Sequence, residues 1–589
     1  MPLVHRFSTL MALLLCFTSF STFAEAKQPN IILVMTDDQG YGDFGETGNQ
    51  LIRTPHIDAM AKRSVHWEQF YVSPVCSPTR ACLMTGRYNH RTKCIDTFKG
   101  RSMMATDEVT IAELLQTAGY ATGIFGKWHL GDNYPMRPSD QGFAESLVHK
   151  GGGLAQPSEP IENDRRYTNS LLFHNNREVA SEGYCTDVFF DAAWKFIQSQ
   201  AATETPFFCY IPLNAPHGPF HDVPDALLKE YQKTDFSPIM VGAGGRRAAA
   251  QQDALARIAT MITNVDDNLG RLFERLDNAS LTQNTIVIFL TDNGPNTRRY
   301  AGPFRGKKSE LYEGGIRTPL WIQWPGEFKA GESIPKTVAA HIDLMPTLLD
   351  ACHVELPDNL DGRSLLAKLK DPSAPLTERP LVIQYHRGDV PSRYHSCMVR
   401  KGDWKLVHPS GTQTEQFKGT PNWELYNLAD DPGETKNLAT EKGVILNDLI
   451  KTYEAWFDDV STERADQPGP PYIVIAPEHE SPSILTWQDM IDGNWRTDKL
   501  GYYKLEFSDD GRFDIRFESH PRHAIDKSKP WTAKLQIGEQ IYQSDFNPDE
   551  RLAIFRGLQV PAGKTKLKPW IETEGKPPVC IYHVWISPR

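Results

Sequence analysis

The sequence is short of positive charge. Of its 589 residues 63 are Lys or Arg and 74 are Asp or Glu, leaving a net charge of -11, whereas nucleic-acid binders carry the opposite excess. Nucleic acid is therefore not an expected partner, and an anionic substrate would need a local cationic pocket. Metal-type cysteine spacing is also missing: there are nine cysteines but no CxxC pair, which argues against zinc and leaves disulfides possible in an oxidising compartment. Long apolar runs are absent as well. The N-terminal stretch from Leu10 to Phe23 is broken by Ser and Thr and falls short of the roughly 20 residues that span a bilayer. No internal repeat or low-complexity tract occurs.

That N-terminal stretch has another use. His5 and Arg6 precede it, and Ala24-Glu25-Ala26 follows it as an A-x-A site, so residues 1–26 read as a signal peptide cleaved after Ala26. The expected product is a periplasmic or secreted protein of bacterial type, with no membrane insertion after cleavage. It is too long for a single core.

Residues 30–36 (NIILVMT) form a β-branched run too short for a helix, followed at once by Asp37-Asp38. This pattern predicts a buried parallel strand ending in a polar loop. The segment 107–118 predicts a helix leading into the strand ATGIFGK. Leu255, Ile258, Ile262, Val265, Leu269, Leu272 and Leu276 keep helical spacing before TIVIFLTDNG at 285–294. Helices alternating with buried strands predict an α/β fold, with one large sheet flanked by helices across 27–380. Short strands and a helix predict a smaller antiparallel-sheet subdomain over 381–465. A turn-rich DQPGPP at 466–471 marks a linker, and alternating segments over 472–589 predict a C-terminal β-sandwich. In it, Asp510-Gly511 between two alternating runs suggests a hairpin.

The chemistry-bearing residues cluster at predicted strand ends, where α/β sheets gather ligands. Asp37, Asp38, Asp292 and Asn293 offer hard oxygen ligands that suit Ca²⁺, with Mg²⁺ as the alternative. Either acidic loop alone reads as an ordinary polar turn. Cys76-Ser77-Pro78-Thr79-Arg80 opens a helix, placing Cys76 among free N–H groups with Arg80 one turn on. Alone, that short pattern reads as a structural cysteine. Lys127 and His129 are two apart on a strand and so share a side. His217 follows the apolar strand FFCYIPL.

CSPTR followed by ACLMTGRY resembles the sulfatase signature, and around it stand NIILVMTDDQGYGD, GIFGKWHLG, NAPH, LTDNG and FRGKKSELYEGGIRTP in the order sulfatases have them. The similarity runs from about Asn30 to Leu438. It implies an alkaline-phosphatase-like fold and a formylglycine-dependent sulfatase resembling bacterial polysaccharide sulfatases. Cys76 would be oxidised to formylglycine by a formylglycine-generating or anaerobic sulfatase-maturing enzyme. The metal site would be Asp37, Asp38, Asp292, Asn293 and the modified Cys76. Arg80 would orient the nucleophile, Asp292 accept its proton, Lys127 and Lys308 bind sulfate, His129 take the proton that ejects sulfate, and His217 protonate the leaving alcohol. Glu313 and Arg317 would brace the loop of Lys308. Arg298 and Arg299, following the metal loop, are the expected contacts to the rest of the substrate; His149, Lys150, Arg387, Arg393 and His395 are further candidates. The implied substrate is a sulfated glycan, for example an algal galactan such as carrageenan. Two alternatives stay open: a phosphoesterase or phosphonate-ester hydrolase on the same scaffold, and a non-catalytic glycan-binding protein.

Overall fold

The computed structural model describes residues 28–589 except 155, 243–244, 414 and 494–498; the expected signal peptide lies outside the described residues. The first strand, β1 (Asn30–Thr36), is buried along its whole length. Its side chains alternate between two cores: Ile31, Leu33 and Met35 face one, Ile32 and Val34 the other. Burial on both faces is what makes the run continuously apolar.

Ten further strands complete the main sheet: β2 (Val65–Tyr71), β3 (Ala121–Lys127), β4 (Glu145–His149), β5 (Leu171–His174), β6 (Arg177–Ala180), β7 (Phe207–Pro212), β8 (Thr285–Thr291), β9 (Arg317–Gln323), β10 (Ser333–Ile334) and β11 (Ala339–Ala340). Their order is β10-β2-β9-β8-β1-β7-β3-β4-β5-β6, with β11 beside β2. β1 lies between β7 and β8 and is parallel to both, while β9 runs antiparallel to β8 and β2. The sheet is therefore mixed. Helices Cys185–Ala202 and Arg246–Asn278 cover one face, and the helical residues Leu255 to Leu276 expected to share a stripe all enter that core. Helices Cys76–Thr85, Ile111–Thr117 and Leu344–Ala351 cover the other. The second of these starts later than its amphipathic pattern suggests because Thr110 caps it: the Glu113 N–H donates to Thr110 Oγ1 at 3.3 Å and the Thr110 N–H to Glu113 Oε2 at 2.8 Å.

A smaller antiparallel sheet, β12 (Leu381–Gln384), β13 (Cys397–Lys401), β14 (Trp404–His408) and β15 (Glu424–Asn427), packs on helix Gly443–Thr462 through Leu449, Tyr453 and Phe457. Beyond residue 472 two sheets form a sandwich. The hairpin expected at Asp510-Gly511 is not made there. Strand Tyr503–Phe507 pairs in one sheet and Gly511–Glu518 in the other, so the turn is a crossover. Alternation shows which side of a strand faces inward, not which sheet receives it. Phe507 and Phe513 meet inside the core, ring centroids 5.0 Å apart, and Asp510 Oδ1 pins the far side by accepting the Ala562 N–H at 2.7 Å.

The sandwich core does not stop at the linker. Met103 and Met136 of the α/β unit are buried in the same cluster as Leu485 and Trp487. Tyr134 stacks on His479 with centroids 4.3 Å apart, and the Asn133 amide donates to the Ile484 carbonyl at 2.9 Å. Among the described residues, no helix is long and apolar enough to cross a membrane, and all eight cysteines are buried. Leu33→Ala, at the centre of the sheet, should lower the unfolding free energy by about 3 kcal/mol. Ile541→Ala, on an exposed strand position, should shift it by less than about 0.5 kcal/mol; denaturant titration of both variants checks the contrast.

Candidate active site

Thr36 at the end of β1 pairs with Thr291 at the end of β8. The next residues, Asp37 and Asp292, therefore emerge side by side. The chain turns sharply after them: Asp38 has φ of 62°, and its N–H donates to Asp292 Oδ1 at 3.2 Å. The Asn293 amide donates to Asp38 Oδ1 at 2.9 Å. Helix Cys76–Thr85 points its first turn at this rim, with Cys76 as its first residue. β3 delivers Lys127 to the same end, and His129, two residues on, also has a left-handed backbone, φ 62°. Non-glycine residues held in this region are strained and persist where the surroundings over-determine them.

These groups converge. Cys76 Sγ lies 3.5 Å from Asp37 Oδ1 and 3.2 Å from Lys308 Nζ. Arg80 Nη2 bridges Asp37 Oδ2 at 3.2 Å and Asp292 Oδ2 at 3.0 Å, while its Nη1 donates to the Lys127 carbonyl at 2.7 Å. Lys127 pairs with Asp37, and Lys308 with Asp38. Burial alone would raise the Asp37 carboxyl, but Lys127, His217, Lys308 and Arg80 overturn that and hold it well below the ordinary carboxylate range. Asp292 goes the other way, to about 6, through burial and the charge of Asp37. Burial and Asp37 push the Cys76 thiol up to about 12. An unmodified Cys76 is thus a thiol at neutral pH and a poor nucleophile.

The two histidines are held differently. His217 Nδ1 donates to the Gly218 carbonyl at 2.6 Å, leaving Nε2 toward the site, 3.8 Å from Asp38 Oδ2. His129 Nε2 faces the Thr97 carbonyl at 2.8 Å, and its buried Nδ1 has no protein partner. A carbonyl only accepts, so Nε2 carries the proton and Nδ1 the lone pair. Burial, Lys127 and Arg80 keep this ring neutral, its pKa well below the usual histidine value.

Not every expected contact faces the cleft. Arg299 is a correction: its guanidinium is buried, donating to Asp43 Oδ1 at 2.7 Å, to Thr297 Oγ1 at 2.8 Å and to the Asp38 carbonyl at 3.2 Å. It braces the acidic loop from below because Asp43, buried on the same turn, needs a counter-charge. Arg298 is exposed and paired with Glu310 at 2.9 Å. Arg393 is drawn to Asp458, His395 is buried against His386, and His149 is buried beside Glu159; Arg387 does line the cleft. Sequence reasoning missed Lys405, buried between Glu313 and Glu434 at 2.8 Å from each. Glu313 also accepts from Tyr71 at 3.0 Å and Arg317 at 3.2 Å, which locks the loop carrying Lys308. It missed Gln488 as well, whose amide lies 3.3 Å from His129 Nε2. Neither residue stands in a motif, so no local signal marks it.

A divalent cation fits this donor set. Ligand atoms of Asp37, Asp38, Cys76 and Asp292 all lie within 4.8 Å of one another. Asp38 Oδ2 and Asn293 Oδ1 are buried without a protein partner, as oxygens meant for a metal would be. A metal-assembling acidic rim, a helix-start side chain and flanking lysines on an α/β sheet define a hydrolase of anionic esters. Residues 29–354 match the sulfatase family, and residues 305–456 match the family described as N-sulphoglucosamine sulphohydrolase, C-terminal. The chain belongs to the sulfatase family. It is 30% identical to mouse (Mus musculus) N-acetylgalactosamine-6-sulfatase over 437 residues, 69% of this chain and 76% of that one. It is 27% identical to the Bacteroides thetaiotaomicron N-acetylglucosamine-6-O-sulfatase over 534 residues, 75% of this chain and 89% of that one. The crystal structure of Ps i-CgsB in complex with k-i-k-neocarrahexaose superimposes with a TM-score of 0.63 at 27% identity, covering 74% of this chain and 94% of that one. Neither family match extends past residue 456, so the sandwich lies outside both.

Arg299→Ala should raise the metal concentration needed for half-maximal activity by about tenfold while leaving KM at saturating metal nearly unchanged; a calcium titration of activity reads both. Glu313 supplies a pH-dependent test. Burial would raise it, yet Lys405, Arg317 and Arg400 bring it down to about 2. Its folded value is below the ordinary 4.3 or so, so its stabilisation is complete at neutral pH and is lost as pH falls toward 2. Lys405→Met should cost about 3–5 kcal/mol at pH 7. The gap to the wild type should narrow by pH 4, where the stranded carboxyls take up protons; denaturation midpoints at the two pH values measure this.

Proposed function

We propose that this sulfatase removes sulfate from a sulfated oligo- or polysaccharide outside the cytoplasm, with Cys76 acting as formylglycine after conversion by a maturing enzyme and with Ca²⁺ held by Asp37, Asp38, Asp292 and Asn293. The observation that carries the reading is the convergence of Cys76, two lysines and a buried acidic rim, with Asp38 Oδ2 and Asn293 Oδ1 left without a hydrogen-bond partner, at one strand-end surface. Matured, the Cys76 position supplies a hydrated aldehyde whose oxygen can attack sulfur. The cation would supply positive charge against the ester's negative charge and lower the cost of ionising that oxygen.

The chain's own residues do the rest. Lys127 and Lys308 neutralise sulfate oxygens at the buried end of the cleft, where fixed charges act strongly. Arg80 holds Asp37 and Asp292 at fixed spacing through its rigid fork. His217 presents Nε2 to the leaving oxygen because its Nδ1 proton is committed to Gly218. His129 keeps a lone pair on Nδ1 for the proton whose removal releases sulfate.

A polymeric substrate is supported by the cleft. It measures about 1230 Å³ and runs from His217 and Lys308 past Lys99, Arg165 and Arg387 to Arg522 and Tyr582 of the sandwich. Several sugar units fit that length, and the cations suit anionic sugars on a chain that is acidic overall. The similar structure that holds a neocarrahexaose makes an algal galactan a suitable first substrate to try.

Peptide mass spectrometry should find aldehyde at Cys76 in active enzyme, and Cys76→Ala should abolish turnover; active enzyme carrying only thiol would overturn the mechanism. Free sulfate released from a panel of sulfated glycans identifies the substrate. Faster turnover of 4-nitrophenyl phosphate than of the sulfate would favour the phosphoesterase reading. His217→Ala should cost more than about 100-fold on a glycan sulfate, whose alkoxide leaves poorly. On 4-nitrophenyl sulfate, which needs little protonation, the loss should stay below about tenfold.

A further inference from the structure

Gln488 carries the sandwich up to the loop that backs His129. Gln488 follows strand Ser483–Thr486, which pairs with the last strand His583–Pro588, and it is almost fully buried against the loop 97–102. Its side-chain Nε2 donates to the Thr97 carbonyl at 2.6 Å and to Ser102 Oγ at 3.2 Å, while the Gln488 backbone carbonyl accepts the Gly100 N–H at 2.9 Å. The loop is thus gripped at three points by one residue. The Thr97 oxygen held this way is the one that faces His129 Nε2 at 2.8 Å. The two nitrogens approach to 3.3 Å because they share that oxygen's two lone pairs.

The amide orientation follows from the chemistry. A carbonyl cannot donate, so the group facing Thr97 O must be the NH₂ of Gln488. The loop is otherwise closed by the Arg101 N–H donating to the Phe98 carbonyl at 3.3 Å and the Asp96 N–H to the Arg101 carbonyl at 3.2 Å, bonds that leave the Thr97 carbonyl itself to Gln488 and His129; Phe98 and Lys99 are partly exposed, and Lys99 has φ of 61°. If the carbonyl turned away, the His129 ring would lose the acceptor that keeps its proton on Nε2 and would be free to rotate or change tautomer.

We propose that Gln488, supplied by the C-terminal sandwich, is a positioning residue of the sulfatase centre that fixes the His129 imidazole through the Thr97 carbonyl. The inference rests on the reading that His129 releases sulfate. In that step His129 Nδ1 takes the proton of the hydroxyl on the Cys76-derived carbon. The oxygen's electron pair closes the aldehyde C=O, and the carbon–oxygen bond to sulfate breaks, with sulfate leaving on its own pair. Gln488 does not touch the substrate. It keeps Nδ1 unprotonated and aimed.

The test uses the full-length matured enzyme with 4-nitrophenyl sulfate. Gln488→Met keeps the length and approximate volume of the side chain and removes the amide, of which only the NH₂ is engaged because Oε1 has no hydrogen-bond partner; Gln488→Ala is the second variant. Both should lower kcat by between about 10- and 100-fold, without a rise in KM. Acid-quenched steady-state samples should show a sulfate adduct accumulating on the Cys76 peptide, as is expected of His129→Ala and not of wild type. A packing defect would lower kcat without the adduct and would overturn the proposal. Wild-type kcat in Gln488→Met would overturn it too, while leaving the His129 reading intact if His129→Ala still accumulates adduct. Absence of adduct in His129→Ala would remove the reading itself and this inference with it.

Discussion

Three carboxylates crowd onto adjoining strand ends out of water, and the rest of the centre answers their mutual repulsion. Asp37 and Asp292 are neighbours because β1 and β8 run parallel and in register, so the conflict is built in by the sheet. Arg80, Lys127 and Lys308 are the answer. None can be removed without leaving buried charge uncompensated, the costly form of a broken ion pair. A divalent cation would add two positive charges to this arrangement and a sulfate monoester one negative, and the lysines are placed to serve either the acids or the ester. The same balance separates Asp37, held well below the ordinary carboxylate range, from Asp292, raised to about 6 by burial and the charge of Asp37.

Much of this was legible in the sequence because the residues that carry charge sit in short contiguous motifs at the ends of strongly apolar runs. Asp37-Asp38 follows a run whose seven residues are all buried, and Lys308 stands in the segment FRGKKSELYEGG that resembles the sulfatase motif. The α/β architecture was legible for the same reason, since two-sided burial leaves an unbroken apolar signature. What failed shares a different cause. Arg299 reads as a free cation beside the metal loop, but Asp43, 256 positions away, claims it. The Asp510-Gly511 turn has hairpin chemistry, yet sheet membership is decided by distant partners. Gln488 lies 359 positions from His129 in a stretch with nothing to mark it. Pairings between remote segments leave no local trace when each residue, alone, has an ordinary surface or core composition.

The bracing around Glu313 shows how the smaller sheet enters the chemistry. Lys405 lies on β14, and its ammonium holds Glu313 and Glu434 together. The loop bearing Lys308 is thereby tied to a second sheet instead of to solvent. Catalytic lysines need such ties, because a long flexible side chain gains precision only from what holds its backbone.

The methionines that cross from the catalytic unit into the sandwich core have a thermodynamic consequence. Residues 466–471 mark a boundary in the chain, but Met103 and Met136 pack with Leu485 and Trp487 as one cluster, so no matching boundary exists in energy. Loosening the sandwich withdraws packing from the very loop that carries Thr97, and the two units lose structure as one cooperative block. The heat tolerance of catalysis is then set by a region that performs no chemistry, and stabilising that remote β-structure raises the working temperature of the active centre.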